Sequence, residues 1–369
     1  MNFALSDEQE FLKEAARGAL SRVKTVEAAR EALDGAALPD LWPAAVEAGW
    51  PGLLVSDANG GADLSPLEAM LVFEELGRVL ASVPLLGHLP ATFLLDRAGA
   101  SDVLGPLAAG AERAALVPAR PPNDLGEGWT VDPAIGMTRA PAPTFADGKV
   151  TGTVAWVPDA PGADHLVVML DDGRAALVDA ADATIEPATV YDVTRSLGHV
   201  TLDGAPATLL ELEDGKTAAA WYIAQTLLAA EAVGAVDVAL AVSVAYAKER
   251  HTFGRAIGSY QAVKHELVEM LRGLDNSRSL MYYAGWAAQY EAGEFPLAAS
   301  AFRLAAGKAF DHAARAQISV HGGIGATWEH DAPLYFRRAQ LSRRLLGGTA
   351  GAADRVAGEL LTTARAQAA

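Results

Sequence analysis

Two short runs in the carboxy-terminal half hold the residue types that handle phosphates and flat rings. The first is Glu249-Arg250-His251-Thr252-Phe253-Gly254-Arg255, followed by Ile257-Gly258 and Gln261. Arg250 and Thr252 suit a pyrophosphate, because a guanidinium and a hydroxyl both donate to anionic oxygen. Phe253 offers an apolar face to a ring. The second run is Val320-His321-Gly322-Gly323-Ile324-Gly325-Ala326-Thr327. Glycines let a backbone come close to another group and present its N–H donors. Each run also has a plainer explanation. Basic residues favour the last turn of a helix and Gly stops it, and a Gly-Gly-x-Gly is often only a turn.

Other chemistries are excluded by composition. The 369 residues contain 0 cysteines, so disulfides, thiolate metal sites and thiol nucleophiles are absent, and no metal site is expected. A net charge of -17 repels nucleic acid and anionic membrane. A phosphate-bearing cofactor can still bind through a few arginines and helix N-termini. The opening segment lacks a basic region followed by an apolar core, so it does not read as a secretory signal. The most apolar stretch, 218–247, is interrupted by Glu231 and Asp237 and reads as a buried helix rather than a membrane span. The expected location is cytoplasmic.

The elements that must position these runs follow from periodicity. Residues 1–112 read as an α-helical domain, with Ser6-Asp7-Glu8-Gln9 as a helix start and a further helical run through 67–80. Residues 113–212 are rich in Val, Thr, Pro, Gly and Asp, and their short apolar runs read as a small antiparallel β domain. Residues 213–369 turn helical again, beginning with a long Ala-rich pattern from Thr217 to Arg250. Further helices are expected over 261–271, 297–318 and 335–346. The fold class is α+β, ordered helical, β, helical.

Taken together, YAKERHTFGRAIGSYQAVKH, QISVHGGIGATWEHD and LYFRRA resemble the acyl-CoA dehydrogenase family, and FEELGR at Phe73–Arg78 adds to the likeness. The resemblance implies an amino-terminal helical domain, a middle β domain and a carboxy-terminal four-helix bundle, with FAD bound between subunits. It makes Arg250, Thr252 and Phe253 contacts to the pyrophosphate and adenine side of FAD, and Gln261 a second contact. It has Gly322 and Gly323 reach FAD across a subunit interface. Trp156-Val157 takes the place of the Trp-Ile pair beside the flavin ring. The implied reaction removes hydrogens from the α and β carbons of an acyl-CoA, with a glutamate taking the α proton and flavin N5 the β hydride.

The catalytic glutamate is where this chain departs from the family. One family position follows the Gly pair in a Glu-Gly-Thr motif, and here Gly347 stands in its place before Gly348-Thr349. The other falls on Ala224 in the long bundle helix. Glu231 is the nearest carboxylate on that helix, two turns or about 10 Å further along, and makes a weak candidate base. Its competing reading is a polar group paired inside the bundle. Ser319 replaces a family Gln, with Gln317 nearby, and Pro158 follows Trp156-Val157 where a hydroxyl residue is usual. A family segment that helps build the flavin pocket is not recognisable within 115–129. The expected assembly is a hetero-oligomer, a heterotetramer with a second acyl-CoA dehydrogenase-like subunit that carries the glutamate. It would act on an acyl-CoA of fatty-acid or steroid side-chain origin and pass electrons to an acceptor no motif identifies. The alternatives are a non-catalytic subunit of the same fold, and a self-sufficient flavoenzyme with a relocated base.

Overall fold

A computed structural model describes residues 4–122, 126–132 and 139–368, with side chains to 365. Part of the 115–129 stretch therefore lies outside the described residues.

Six helices come first: α1 Asp7–Leu20, α2 Thr25–Ala32, α3 Trp42–Glu47, α4 Pro66–Arg78, α5 Leu85–Arg97 and α6 Ser101–Ala108. Two begin with the reciprocal cap that satisfies orphan N–H groups: Ser6 with Gln9 in α1, and Ser65 with Glu68 in α4. In α4 nearly every residue from Ala69 to Gly77 is buried, including Glu74 and Glu75. Those carboxylates are paired. Glu74 meets Lys13 and Arg278, each at 2.8 Å, and Glu75 takes Arg17 at 2.9 and 2.8 Å through two nitrogens.

The strands follow: β1 Ala114–Val117, β2 Thr130–Val131, β3 Arg139–Ala140, β4 Thr144–Ala146, β5 Lys149–Pro158, β6 His165–Met169, β7 Ala175–Asp179, β8 Thr184–Pro187, β9 Leu197–Pro206 and β10 Thr208–Leu209. They form two four-stranded sheets, ordered β1-β6-β7-β10 and β4-β5-β9-β8, with β2 and β3 as a separate pair. Most neighbours are antiparallel. The pair β1–β6 is parallel, because the chain leaves β1, builds part of the other sheet, and returns beside it in the same direction. Val150, Val154, Leu166, Val168, Val178 and Val200 fill the space between the sheets. The alternate residues of β6, Val167 and Met169, belong to the larger helical core instead. Both faces of this strand are thus buried, as its unbroken apolar run requires.

The rest is helical: α7 Lys216–Glu249, a hairpin of β11 His251–Thr252 and β12 Arg255–Ala256, then α8 Gln261–Tyr290, α9 Phe295–His321, α10 Ala332–Ser342 and α11 Gly348–Ala368. Three long helices, α7 to α9, make most of the bundle, and two shorter ones complete it against α9. By length and composition α7 passes for a membrane span, yet 67% of its most apolar window is buried in the fold. Its small residues explain the close contact with α4. A Cβ on Gly77 would sit 1.9 Å from the Glu231 carbonyl oxygen, and one on Gly234 would sit 1.8 Å from that of Glu74. The two helices therefore cross backbone to backbone, and only glycine fits at either point.

Candidate functional site

The residues singled out from sequence fall into two groups. The first group gathers at one end of the bundle. Arg250 caps the C-terminus of α7, Gln261 opens α8 and Gly322 caps α9. Stacking of Tyr246 on His321, with ring centres 4.4 Å apart, binds the ends of α7 and α9 together. The hairpin between α7 and α8 projects Phe253 at its tip with φ 53 and 92% of its surface exposed. That conformation is uncommon for a residue with a side chain, and a phenyl ring so exposed loses its hydrophobic gain. Tyr260 Oη donates to the Thr252 carbonyl at 3.0 Å, and Arg255 lies over the Tyr260 ring at 4.1 Å, so the hairpin is held from below. The N-terminus of α8 has no side-chain cap and no acidic residue in its first turn, which leaves N–H donors for an anion.

Gly322 and Gly323 face open space. A Cβ built on either meets nothing within 4 Å, so no packing inside the chain demands glycine there. Gly322 also has φ 64 and ψ -137, a backbone conformation essentially restricted to glycine. Exposed donors, an exposed ring and a bare backbone at one end of the bundle form a cradle suited to an extended phosphate-linked cofactor from outside the chain.

The second group lines a cavity of about 470 Å³ between the β domain and the bundle. Trp156 enters it from β5. The β5–β9 ladder shifts register between Val154 and Val157, and Trp156 has φ 59, so a bulge re-aims this ring. Its edge meets His199, with centroids 4.8 Å apart. Opposite stands Gly347, in a turn where Leu346, Gly347 and Gly348 take φ of 52, 79 and 67. Two buried side chains hold that turn. Gln225 Nε2 donates to the Leu346 carbonyl at 2.9 Å, and the Arg303 guanidinium donates to the Ser342 and Leu345 carbonyls at the end of α10. Arg303 is fully buried, and burial lowers its pKa to about 10. It works as a cationic cap on a helix C-terminus.

Neither position expected for a base can act as one. At Gly347 there is no side chain, and a Cβ there would lie 3.1 Å from Cζ2 of Trp221. The Trp221 ring thus packs tightly against the Cβ position of residue 347. Ala224 is buried in α7 and does not line the cavity. Glu231 is elsewhere. It is 3% exposed and accepts from both Arg195 and Arg338. Both of its oxygens are engaged by guanidiniums, and it does not line the cavity.

The family comparisons fit this arrangement. Residues 6–102 match the model of the acyl-CoA dehydrogenase N-terminal domain, and residues 220–361 match that of the C-terminal domain. The acyl-CoA dehydrogenase IpdE2 of Mycobacterium tuberculosis is 32% identical over 302 residues, covering 81% of this chain and 80% of that protein. The chain belongs to the acyl-CoA dehydrogenase family. IpdE2 of Mycolicibacterium smegmatis is 29% identical, over 93% of this chain and 96% of its own. Among solved structures, the Tcur3481–Tcur3483 steroid acyl-CoA dehydrogenase aligns with TM-score 0.83 at 27% identity, over 98% of this chain and 99% of that one. Butyryl-CoA dehydrogenase from Megasphaera elsdenii shares the fold at TM-score 0.80 and 21% identity, over 98% and 100%. The family's enzymes are FAD-dependent oxidoreductases acting on CH–CH groups, and FAD is the cofactor here.

For an acyl-CoA dehydrogenase, several residues that shape the cavity carried no signal in the sequence. Trp221 reads as one more apolar residue in an apolar helix, and Arg303 as a surface cation. Arg338 lies inside LYFRRA, yet nothing in that motif says that its side chain is fully buried.

Proposed function

We propose that this chain is the FAD-holding, base-lacking subunit of a hetero-oligomeric acyl-CoA dehydrogenase, desaturating an acyl-CoA between its α and β carbons. We take its domains as 1–112, 113–212 and 213–369. The observation that carries the reading is a contrast between the two ends of α7: exposed donors, an exposed ring and bare glycine backbone at its C-terminal end, suited to a cofactor held between subunits, and a cavity at its N-terminal end whose base position is Gly347 backed by Trp221. Likeness to the paired Tcur3481–Tcur3483 steroid acyl-CoA dehydrogenase supports a two-chain assembly and a bulky acyl group. The aromatic lining of Trp129, Trp156, Trp221 and Tyr191 agrees with an apolar, ring-containing acyl group.

In this assignment Arg250 and Thr252 hold the pyrophosphate of FAD, helped by the free N–H groups of α8 near Gln261. Phe253 covers its adenine side, and Gly322 with Gly323 lets a partner's FAD approach the backbone. Trp156, in the cavity at the opposite end of α7, would sit beside the flavin ring of an FAD whose other end is held by a neighbouring subunit. When bound, FAD supplies the acceptor for the β hydride. The chain's own part is to orient the thioester in the cavity and exclude water with Trp129, Trp221 and the Leu345–Leu346 turn. The α proton goes to a carboxylate on the partner subunit. Glu231, tied to two arginines away from the cavity lining, has a structural role.

Co-expression with neighbouring dehydrogenase-like genes, followed by purification, tests this. The expected product is a yellow complex of two chain types that loses flavin on Arg250→Ala. A colourless homo-oligomer with no second chain would overturn the proposal. A colourless two-chain complex would favour a structural subunit.

A further inference from the structure

Thr189, Val190 and Tyr191 form one wall of the cavity. They belong to residues 188–196, the irregular link from β8 to β9. A free link of this kind samples many backbone conformations. Here it is fixed by ionic and hydrogen-bonded ties to two helices. Arg337 Nη1 donates to the Tyr191 carbonyl at 2.7 Å. Arg338 Nε donates to Asp192 at 2.6 Å, and its Nη2 donates to the Thr194 carbonyl at 2.9 Å and to the Thr194 hydroxyl. Asp192 in turn accepts from the Thr194 N–H at 3.0 Å. The third Arg338 nitrogen, and Arg195 from the link itself, both donate to Glu231 on α7.

The two cations and two anions of this quartet are all buried, with Arg338 at 0% and Asp192 at 3% exposure. Burial alone would raise the Asp192 carboxyl, but Arg338, Thr194 and Arg195 outweigh it and hold it below the ordinary range. A neutral buried network of this kind adds little stability over apolar residues of the same shape, while it fixes geometry through directional bonds. Its geometry bears on the cavity. The helix that carries Arg337 and Arg338 also places Leu341 on the cavity lining, and Arg344 and Leu345 follow just past its end. One helix therefore both ties the link and supplies cavity lining.

We infer that Arg338, with Arg195, Asp192 and Glu231 and helped by Arg337, is a positioning residue that fixes the 188–196 wall of the cavity and so its grip on the acyl group. This rests on the reading that the cavity takes the acyl group. The test uses the purified two-chain complex and 2-naphthoyl-CoA, a flat thioester with no α hydrogen, which can bind without reacting. Arg338→Met is compared with Arg338→Lys and with Asp237→Asn, which breaks an ion pair with Arg78 away from the cavity lining. Expected for Arg338→Met is a loss of hydrogen-exchange protection over 188–196, with β8 and β9 still protected. Probe affinity should fall about tenfold, as small displacements of binding groups do. Arg338→Lys should recover part of both, and Asp237→Asn should change neither. If Arg338→Met lowers Tm but leaves the protection of 188–196 and the probe Kd unchanged, the quartet is only structural and the inference is overturned. Should that variant fail to fold, Arg337→Gln leaves the buried quartet intact, removes the tie to Tyr191 and an exposed stack on Trp328, and carries the same expectations. A wild-type complex that ignores the probe overturns the acyl-cavity reading, while exchange still decides the clamp, so the two failures are told apart.

Discussion

Two pairs of glycines in this chain have opposite causes. Gly77 and Gly234 sit where α4 and α7 cross, and a Cβ on either would overlap a facing carbonyl oxygen at 1.9 or 1.8 Å. Gly322 and Gly323 sit at the end of the bundle, and a Cβ on either would meet nothing. The inner pair is explained wholly by the fold. Gly322 is required by its own backbone conformation, but Gly323, without a positive φ and facing open space, is required by nothing among the described residues and points to a group that arrives from outside. A glycine motif in a sequence thus says that something comes close, and only the structure says whether it comes from within.

The largest effect should come from breaking the inner pair. Gly234→Ala puts a methyl against backbone, which cannot rotate away, and the two helices must separate. We expect a loss of about 4 kcal/mol or more, the range of severe core overpacking and beyond. Urea unfolding of the variant measures it. A loss under about 1 kcal/mol would mean that the crossing is softer than the contacts imply.

A third close approach tests whether such contacts also carry charge. Gly87 packs with its Cβ position 2.5 Å from the Pro158 carbonyl, and its N–H donates to Asp159 at 2.8 Å. Burial raises the Asp159 pKa from 3.8 to about 6, against the bonds from Gly87 and Leu86 and the attraction of Arg195. The folded form therefore binds a proton more readily than the unfolded chain between those two values. Stability from this group is gained as pH falls through 6, and is missing above it. Asp159→Asn keeps an acceptor and removes the ionisation, and Asn tolerates the φ of 59 found there. It should be more stable than the wild type at pH 8 by about 2–3 kcal/mol, with the difference shrinking as pH falls toward 4. Unfolding at pH 8 and pH 5 checks the sign; a gap that widens at low pH would contradict the assignment.

Much of this fold was legible because it is local. The Ser6–Gln9 cap, the apolar run of α7 and the Val-rich strands all appear as patterns within a dozen residues, and the structure has them within a residue or two of where the patterns end. The helix α11 was not read, because Gly347, Gly348 and Gly351 look like a turn and its helical stretch begins in their midst. The parallel pairing of β1 with β6 joins strands some fifty residues apart, which no local pattern encodes. At the site, Arg250, Gln261, Trp156 and the Gly322–Gly323 pair were visible as residue types. The missing carboxylate at 347 is visible in the sequence, but the Trp221 ring packed against that position comes from 126 positions earlier, on α7. The pairing of Glu231 was open to the same limit, as Arg195 and Arg338 lie far from it in the chain.

The outer pair itself can be split, because its two members differ in one respect. Gly322 has a positive φ and Gly323 does not. Gly322→Ala should cost about 1–3 kcal/mol in any state of assembly, through backbone strain alone. Gly323→Ala meets no clash and no strain in the isolated chain, so its unfolding free energy should stay within about 0.5 kcal/mol of the wild type. If a cofactor from a neighbouring subunit lies against that backbone, the added methyl must push it away, and flavin retained by the purified complex should fall about tenfold in affinity. Phe253→Ser offers a parallel reading, since a ring 92% exposed supports nothing in its own chain and should matter only once the cradle is filled. Fluorescence titration with FAD, set beside urea unfolding of the same preparations, separates the two. Loss of flavin without loss of stability is the signature of a surface kept for an outside group. Loss of both together in Gly323→Ala would make that glycine another piece of internal packing, and would remove the contrast with Gly77 and Gly234 on which the cofactor assignment leans.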